Sequence, residues 1–268
     1  MKKQFLTAAA MLGFAVAAVG QQSPQQPGQT QSGQAQSAQP QGPRAKSQKE
    51  LDALKQVQAA TDPEQRITAI QNVLENFADT EYKQVLLDMA VQSAEQANDY
   101  PKIMIYGERA TQGNPNDYEA LTAMAAGTAQ NTKEFDLDKE QKLAKVDKYA
   151  QQAIAAMKSA SKPSGQLTDE QWEQEKKQLT AEAYASMGAA AMLRKKYDDA
   201  ITNFKTAADT NPDAVILVRL ADAYNNANQP DNAITTADRV IAMNDAPANL
   251  KQFAQAEKAK AQKAKGGK

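Results

Sequence analysis

From Ser47 to Lys265 the apolar positions recur three and four residues apart, as in Ile67, Ile70, Val73, Leu74 and Phe77. That spacing places them on one face of a helix with 3.6 residues per turn. No stretch alternates apolar and polar positions as a half-buried strand does, and no Asn-Gly or Asp-Gly hairpin signal occurs. Seven prolines punctuate the region: Pro63, Pro101, Pro115, Pro163, Pro212, Pro230 and Pro247. Proline ends a helix or opens one at its first turn, where its missing N–H costs nothing. The intervals between them fit single helices or helix pairs. The pattern predicts an all-α fold, and the prolines exclude one long coiled coil.

The pattern also repeats. Between Ala181 and Ala214, Gly188 stands among small residues on a first helix, where a second helix can approach closely. Tyr197, Ala200, Phe204 and Ala207 mark the inner face of that second helix, and Pro212 ends it. Ala233 lies 33 residues after Ala200, preceded by Ala221 and Tyr224 and followed by Ala237 and Val240. Self-similarity at 33–34 residues is the mark of stacked helical hairpins.

The unit Ala181, Tyr184, Gly188, Ala191, Tyr197, Ala200, Phe204, Ala207 and Pro212 resembles the tetratricopeptide repeat (TPR) throughout its spacing. The next unit, 214–246, departs from it with Pro230 in place of Tyr197 and Asp245 in place of Pro212. Upstream, Tyr100, Ile103, Ala110 and Pro115 repeat the second-helix spacing, with Gly107 where an aromatic is expected. Leu121, Met124 and Ala125, then Val146, Tyr149, Ala150 and Ala153, form another unit split by an insertion near Asn131 to Glu140. Pro63, Ile67, Ile70 and Val73 pair with Leu51 and Leu54 as a degenerate first unit. The resemblance implies a right-handed superhelix of about five hairpins over 47–246, with 181–213 and 214–246 the best matches.

The ends are different material. Residues 1–20 combine Lys2-Lys3, an apolar run from Phe5 to Val19 and the small residues Ala18-Val19-Gly20, the pattern of a secretory signal peptide. Residues 21–46 hold ten Gln, four Pro and three Gly with no aromatic, which predicts a disordered linker. Residues 247–268 place Leu250, Phe253 and Ala254 on one helix face and run out into lysines, as expected of a capping helix with a Lys-rich tail. Capping is the expected role; contact with an anionic membrane is the alternative, open only to those lysines or to an uncleaved signal.

Composition removes most chemistry. The 268 residues contain no His and no Cys. Nucleophile relays built on His, the usual zinc, haem and iron–sulfur ligand sets, and disulfides are therefore excluded. Lys+Arg number 31 and Asp+Glu 32, without the basic excess of a nucleic-acid binder. Asp136, Asp138 and Glu140 alternate like a calcium loop, but the turn glycine and the distant bidentate Glu are missing. Thr168 and Gln171 spell a capping box that opens a long helix running toward Met192. Trp172, the single Trp, is expected to pack over a neighbouring helix. An enzyme would have to use carboxylates, Lys or Tyr, and a tight cluster of buried acids in a cleft would be its sign. No catalytic residue, metal or cofactor is expected.

What the family resemblance implies about function lies in the concave groove. Its first helices would present Glu119, Thr122 and Ala126, then Glu182, Ala185, Ala189 and Met192, then Val218, Asp222, Asn225 and Asn226. Arg219 matches one place of the clamp by which some family members hold a C-terminal carboxylate. Val215, Ala185 and Ala189 occupy other clamp places, so that mode is not expected. The expectation is an exported scaffold, periplasmic or secreted, that binds a peptide or helix of a cell-envelope protein. The alternative is a periplasmic module binding a solute or cell-wall fragment.

Overall fold

The computed structural model describes residues 43–163 and 167–266. The signal segment and most of the Gln-rich linker lie outside the described residues. Among the described residues there are eleven α-helices and no strand. Five hairpins follow one another: α1 (Gln48–Ala59) with α2 (Pro63–Asn76), α3 (Lys83–Gln96) with α4 (Tyr100–Gly113), α5 (Tyr118–Asn131) with α6 (Lys139–Ser159), α7 (Asp169–Leu193) with α8 (Tyr197–Thr210), and α9 (Ala214–Asn226) with α10 (Pro230–Ala242). Helix α11 (Ala248–Gly266) closes the stack. Each second helix also packs on the first helix of the next hairpin.

The helix starts follow from local chemistry. Ser47, Asp62, Asp99, Asp117, Thr168 and Asp213 each accept a hydrogen bond from a first-turn backbone N–H. Pro63, Pro101 and Pro230 sit in first turns. The expected capping box is formed at α7, where Thr168 and Gln171 satisfy each other's backbone. Three of the hairpin turns are alike: Asn98, Lys195 and Asn228 adopt φ of 55°, 60° and 56°. In each, the next residue's N–H reaches back five residues, Asp99 to Ala94, Lys196 to Ala191 and Gln229 to Tyr224. This is the Schellman closure, which favours Gly or Asn at its left-handed position.

Packing explains the repeat's departures. A Cβ at Gly107 would stand 2.6 Å from Met124 Cγ, so Met124 of the next hairpin fills the place of the missing aromatic. Pro43, Arg44 and Lys46, at the end of the expected linker, are held by Tyr82, Glu81 and Asp79, so the ordered unit includes Pro43. On α11, Leu250 and Ala254 are buried as expected, and Ala261 extends their stripe. Phe253 is 58% exposed, against expectation. The buried stripe runs through 250, 254 and 261, and Phe253 falls on its edge. Three of the tail lysines are engaged: Lys258, Lys260 and Lys265 pair with Asp238, Asp222 and Asp231 of α10 and α9.

Candidate functional site

Among first helices α3 touches α5 and α5 touches α7, and α9 touches the capping helix α11, while α1 with α3 and α7 with α9 do not meet as closely; no comparable contact joins successive second helices. A stack held closer on one side curves toward it, so the first helices form the concave wall. Glu119 and Thr122 lie on α5, Glu182, Ala185, Ala189 and Met192 on α7, and Val218, Arg219, Asp222, Asn225 and Asn226 on α9. Glu119 and Asn226 are exposed. Glu182, Ala189, Met192, Val218, Arg219, Asp222 and Asn225 are partly exposed, and Thr122 and Ala185 are buried.

The α9 group is largely engaged within the chain. Asn225 donates to the backbone oxygen of Glu257 at 2.9 Å and to its carboxylate at 2.7 Å, which ties α9 to the cap. Asp222 accepts from Asn226 at 2.8 Å and from Lys260 at 3.3 Å. Burial pulls the Arg219 guanidinium below its usual basicity, opposed by the nearby Glu182 and Asp213.

Around α5 the wall is acidic. Gln84 of α3 donates to Asp88 at 3.0 Å and to Asp117 at 2.8 Å. Desolvation, then the charge of Asp117 and a hydrogen bond shared with it, push the Asp88 carboxyl up to about 8. Glu119 is pushed up to about 7 by desolvation, then by Glu175 and Asp117. Glu119 is open to water at its edge yet enclosed by the wall, as a group on a concave surface is. Burial also raises Glu175, on the extra N-terminal turns of α7. No Lys or Arg counters these shifts; the one opposing group is the Gln84 amide. Beside them Trp172 is 5% exposed, its ring 5.9 Å from that of Tyr118 and 5.6 Å from Lys176 Nζ.

Sequence reasoning named Glu119 but missed Asp88, Asp117 and Glu175. Asp88 could have been found: it stands 34 residues before Thr122, in the same register as Ala185 and Val218. Glu175 lies in turns added to the repeat, where the register is silent. The acidic loop resolves differently: Lys142 binds Asp136 at 2.8 Å and Asp138 at 2.9 Å, and Arg194 binds Glu140 at 3.0 Å.

Solved structures of helical repeat proteins are similar to this chain. A thermophilic TPR protein of Thermus thermophilus matches 78% of this chain over 98% of its own, at 12% identity and a TM-score of 0.53. The fold is that of a TPR array. A tetratricopeptide repeat protein of Parabacteroides merdae (13% identity, 82% of this chain and 93% of that one) and the assembly chaperone of RpL4 (11%, 81% and 96%) each give a TM-score of 0.40. No family model matches the chain, and no curated protein matches it in sequence. The TPR array also carries a cleft of about 650 Å³ on the side of its second helices, between α6, α7 and α8, open along its length.

Proposed function

We propose that this TPR array is an exported, non-enzymatic interaction scaffold that holds a basic segment of a cell-envelope protein in its concave groove. The observation that carries the reading is the wall of Asp88, Asp117, Glu119 and Glu175. Burial comes first in raising the carboxyls of Asp88, Glu119 and Glu175, neighbouring carboxylates add to it at Asp88 and Glu119, and among the described residues no Lys or Arg relieves it. A partner's Lys or Arg would supply that relief, and the buried Trp172 and Tyr118 give a firm edge beside it. Export rests on the amino-terminal pattern of residues 1–20.

A basic amphipathic peptide should bind the purified chain, read by anisotropy and by Trp172 fluorescence, and Glu119→Lys should weaken it. Equal binding of basic and neutral peptides would defeat the reading. Crosslinking from intact cells with the signal retained should recover an envelope protein, and recovery from the cytoplasm alone would defeat export.

One observation favours a second reading. A carboxyl pair with one raised pKa, such as Asp88 with Asp117, is an arrangement used in acid–base hydrolysis. In that case the groove would cleave a cell-wall fragment near neutral pH, and Asp88→Asn would abolish turnover while sparing binding.

A further inference from the structure

The repeat register makes the outer cleft an anomaly. Two apolar positions of each first helix, three residues apart, are covered by the stack: Leu54 and Val57, Leu87 and Ala90, Leu121 and Met124, Leu217 and Leu220. None of these eight is more than 3% exposed. The corresponding pair on α7, Tyr184 and Met187, remains partly exposed. Both line the cleft between α6 and α8, together with Ile154 and Ala191. The cleft stays open because the helix faces across it are polar: Gln151 and Lys158 on α6, Asp199, Thr202 and Asn203 on α8. The chain has therefore left one turn of its own core only partly covered.

The charges around it are also uneven. Arg194 is satisfied by Asp147 at 2.8 Å and Glu140 at 3.0 Å. Lys158 and Lys196 line the cleft as well, and neither forms an ion pair or a side-chain hydrogen bond among the described residues. Asp199 is the unpaired carboxylate at the Lys196 end; the Lys158 end has none. From Asp147 to Lys158 the α6 wall runs three helical turns, about 16 Å at 1.5 Å per residue.

We infer that this cleft is a second docking site, on the opposite face from the concave groove, for an apolar peptide segment carrying a carboxylate. The apolar side chains cover the exposed parts of Tyr184 and Met187, above the buried Ile154 and Ala191, and the carboxylate meets Lys158. Apolar burial supplies the affinity, and Lys158 sets the direction and the preference for acid. The occupant differs in charge from the one proposed for the groove, so the two faces would take different partners. This inference does not rest on the groove reading.

The test uses the full chain and three fluorescein-labelled amphipathic peptides of about 15 residues, long enough to span the cleft. They share a Leu/Phe face and carry Glu, Gln or Lys at the flanking positions. In the Glu119→Lys chain, whose groove is weakened for basic peptides, the Glu peptide should bind best, and adding Lys158→Glu should weaken it about fivefold while strengthening the Lys peptide. That reversal is a gain that a misfolded variant cannot mimic. Hydrogen exchange should show the Glu peptide protecting α6 and α8 around Gln151–Lys158 and Asp199–Asn203. Peptides bound without regard to charge, a Lys158→Glu variant with unchanged preference, or protection confined to Asp88–Glu119 would overturn the inference. A labelled peptide of residues 131–141, the chain's own exposed Phe135–Leu137 loop, distinguishes a second copy: tighter binding than the Glu peptide would make self-association the occupant and overturn the proposal. Failure of the Lys peptide at Glu119→Lys bears on the groove alone.

Discussion

The ring of Phe204 on α8 lies against the bare backbone of Gly188 on α7, where an added Cβ would stand 2.7 Å from Cδ1 and 2.8 Å from Cε1. Real Cβ contacts do not come that close. Phe204 is itself 1% exposed and has no room to retreat. Gly188→Ala should therefore destabilise the chain by about 1–3 kcal/mol through overpacking, despite alanine's better helix propensity. A lower urea midpoint at unchanged m-value would show it. At Gly113 the obstacle is Gln84 Oε1, 2.7 Å away on an amide bonded to Asp88 and Asp117, so Gly113→Ala should disturb those hydrogen bonds and not a packed ring.

Lys195 closes the α7–α8 turn in the left-handed region at φ 60°, in the position where Asn98 and Asn228 close theirs. An L-residue with a long side chain is strained there, and its ion pair with Glu134 is mostly exposed. Lys195→Gly should raise stability by about 0.5–1 kcal/mol, seen as a higher urea midpoint. A loss of stability would show that the Glu134 pair outweighs the backbone strain.

The repeat was legible where one structural need maps onto one fixed spacing. Gly188, Phe204 and Pro212 each answer a local requirement of the hairpin, and their order along the chain reveals it. The acidic wall was less legible, because Asp88, Asp117 and Glu175 come from two hairpins and from added turns of α7. Asp88 was within reach of the 34-residue register; Glu175 was not. Tyr184 and Met187 show the opposite limit. They read as ordinary core, and only the polar faces of α6 and α8 across from them leave them open.

Asn225 reads as a groove residue, but its amide is spent on Glu257 of α11 through two hydrogen bonds. Its removal should act on the cap and not on partner binding. Asn225→Ala should cost about 1–2 kcal/mol, since one of the bonds goes to a charged acceptor. Hydrogen exchange in α11 should speed up before that of α3 or α5. Intact peptide binding at the concave wall would confirm that the two ends of the array are energetically separate.

The Asp88–Asp117 pair carries a pH dependence with a definite sign. In the unfolded chain Asp88 ionises near its ordinary value of about 4. In the fold, desolvation and Asp117 hold the proton until about pH 8. Between those values the native state binds more protons than the unfolded state, so its stability falls as pH rises through the window and the loss is complete above it. Asn at this position cannot ionise, keeps a group able to accept from Gln84, and offers a donor to Asp117. Asp88→Asn should therefore leave stability near pH 4 unchanged and raise it at pH 8. Each kcal/mol of repulsion removed should add about 2–4 °C to Tm. The variant's stability should still decline on approaching pH 7, because Glu119 is raised by the same wall. Melting curves taken from pH 4 to pH 9 would separate the two groups, since pairing Asp88→Asn with Glu119→Gln should remove most of the remaining slope. A wild-type Tm that climbs from pH 5 to pH 8 would mean that the carboxyls ionise freely in the fold, and the acidic wall would then carry no stored repulsion for a basic partner to relieve.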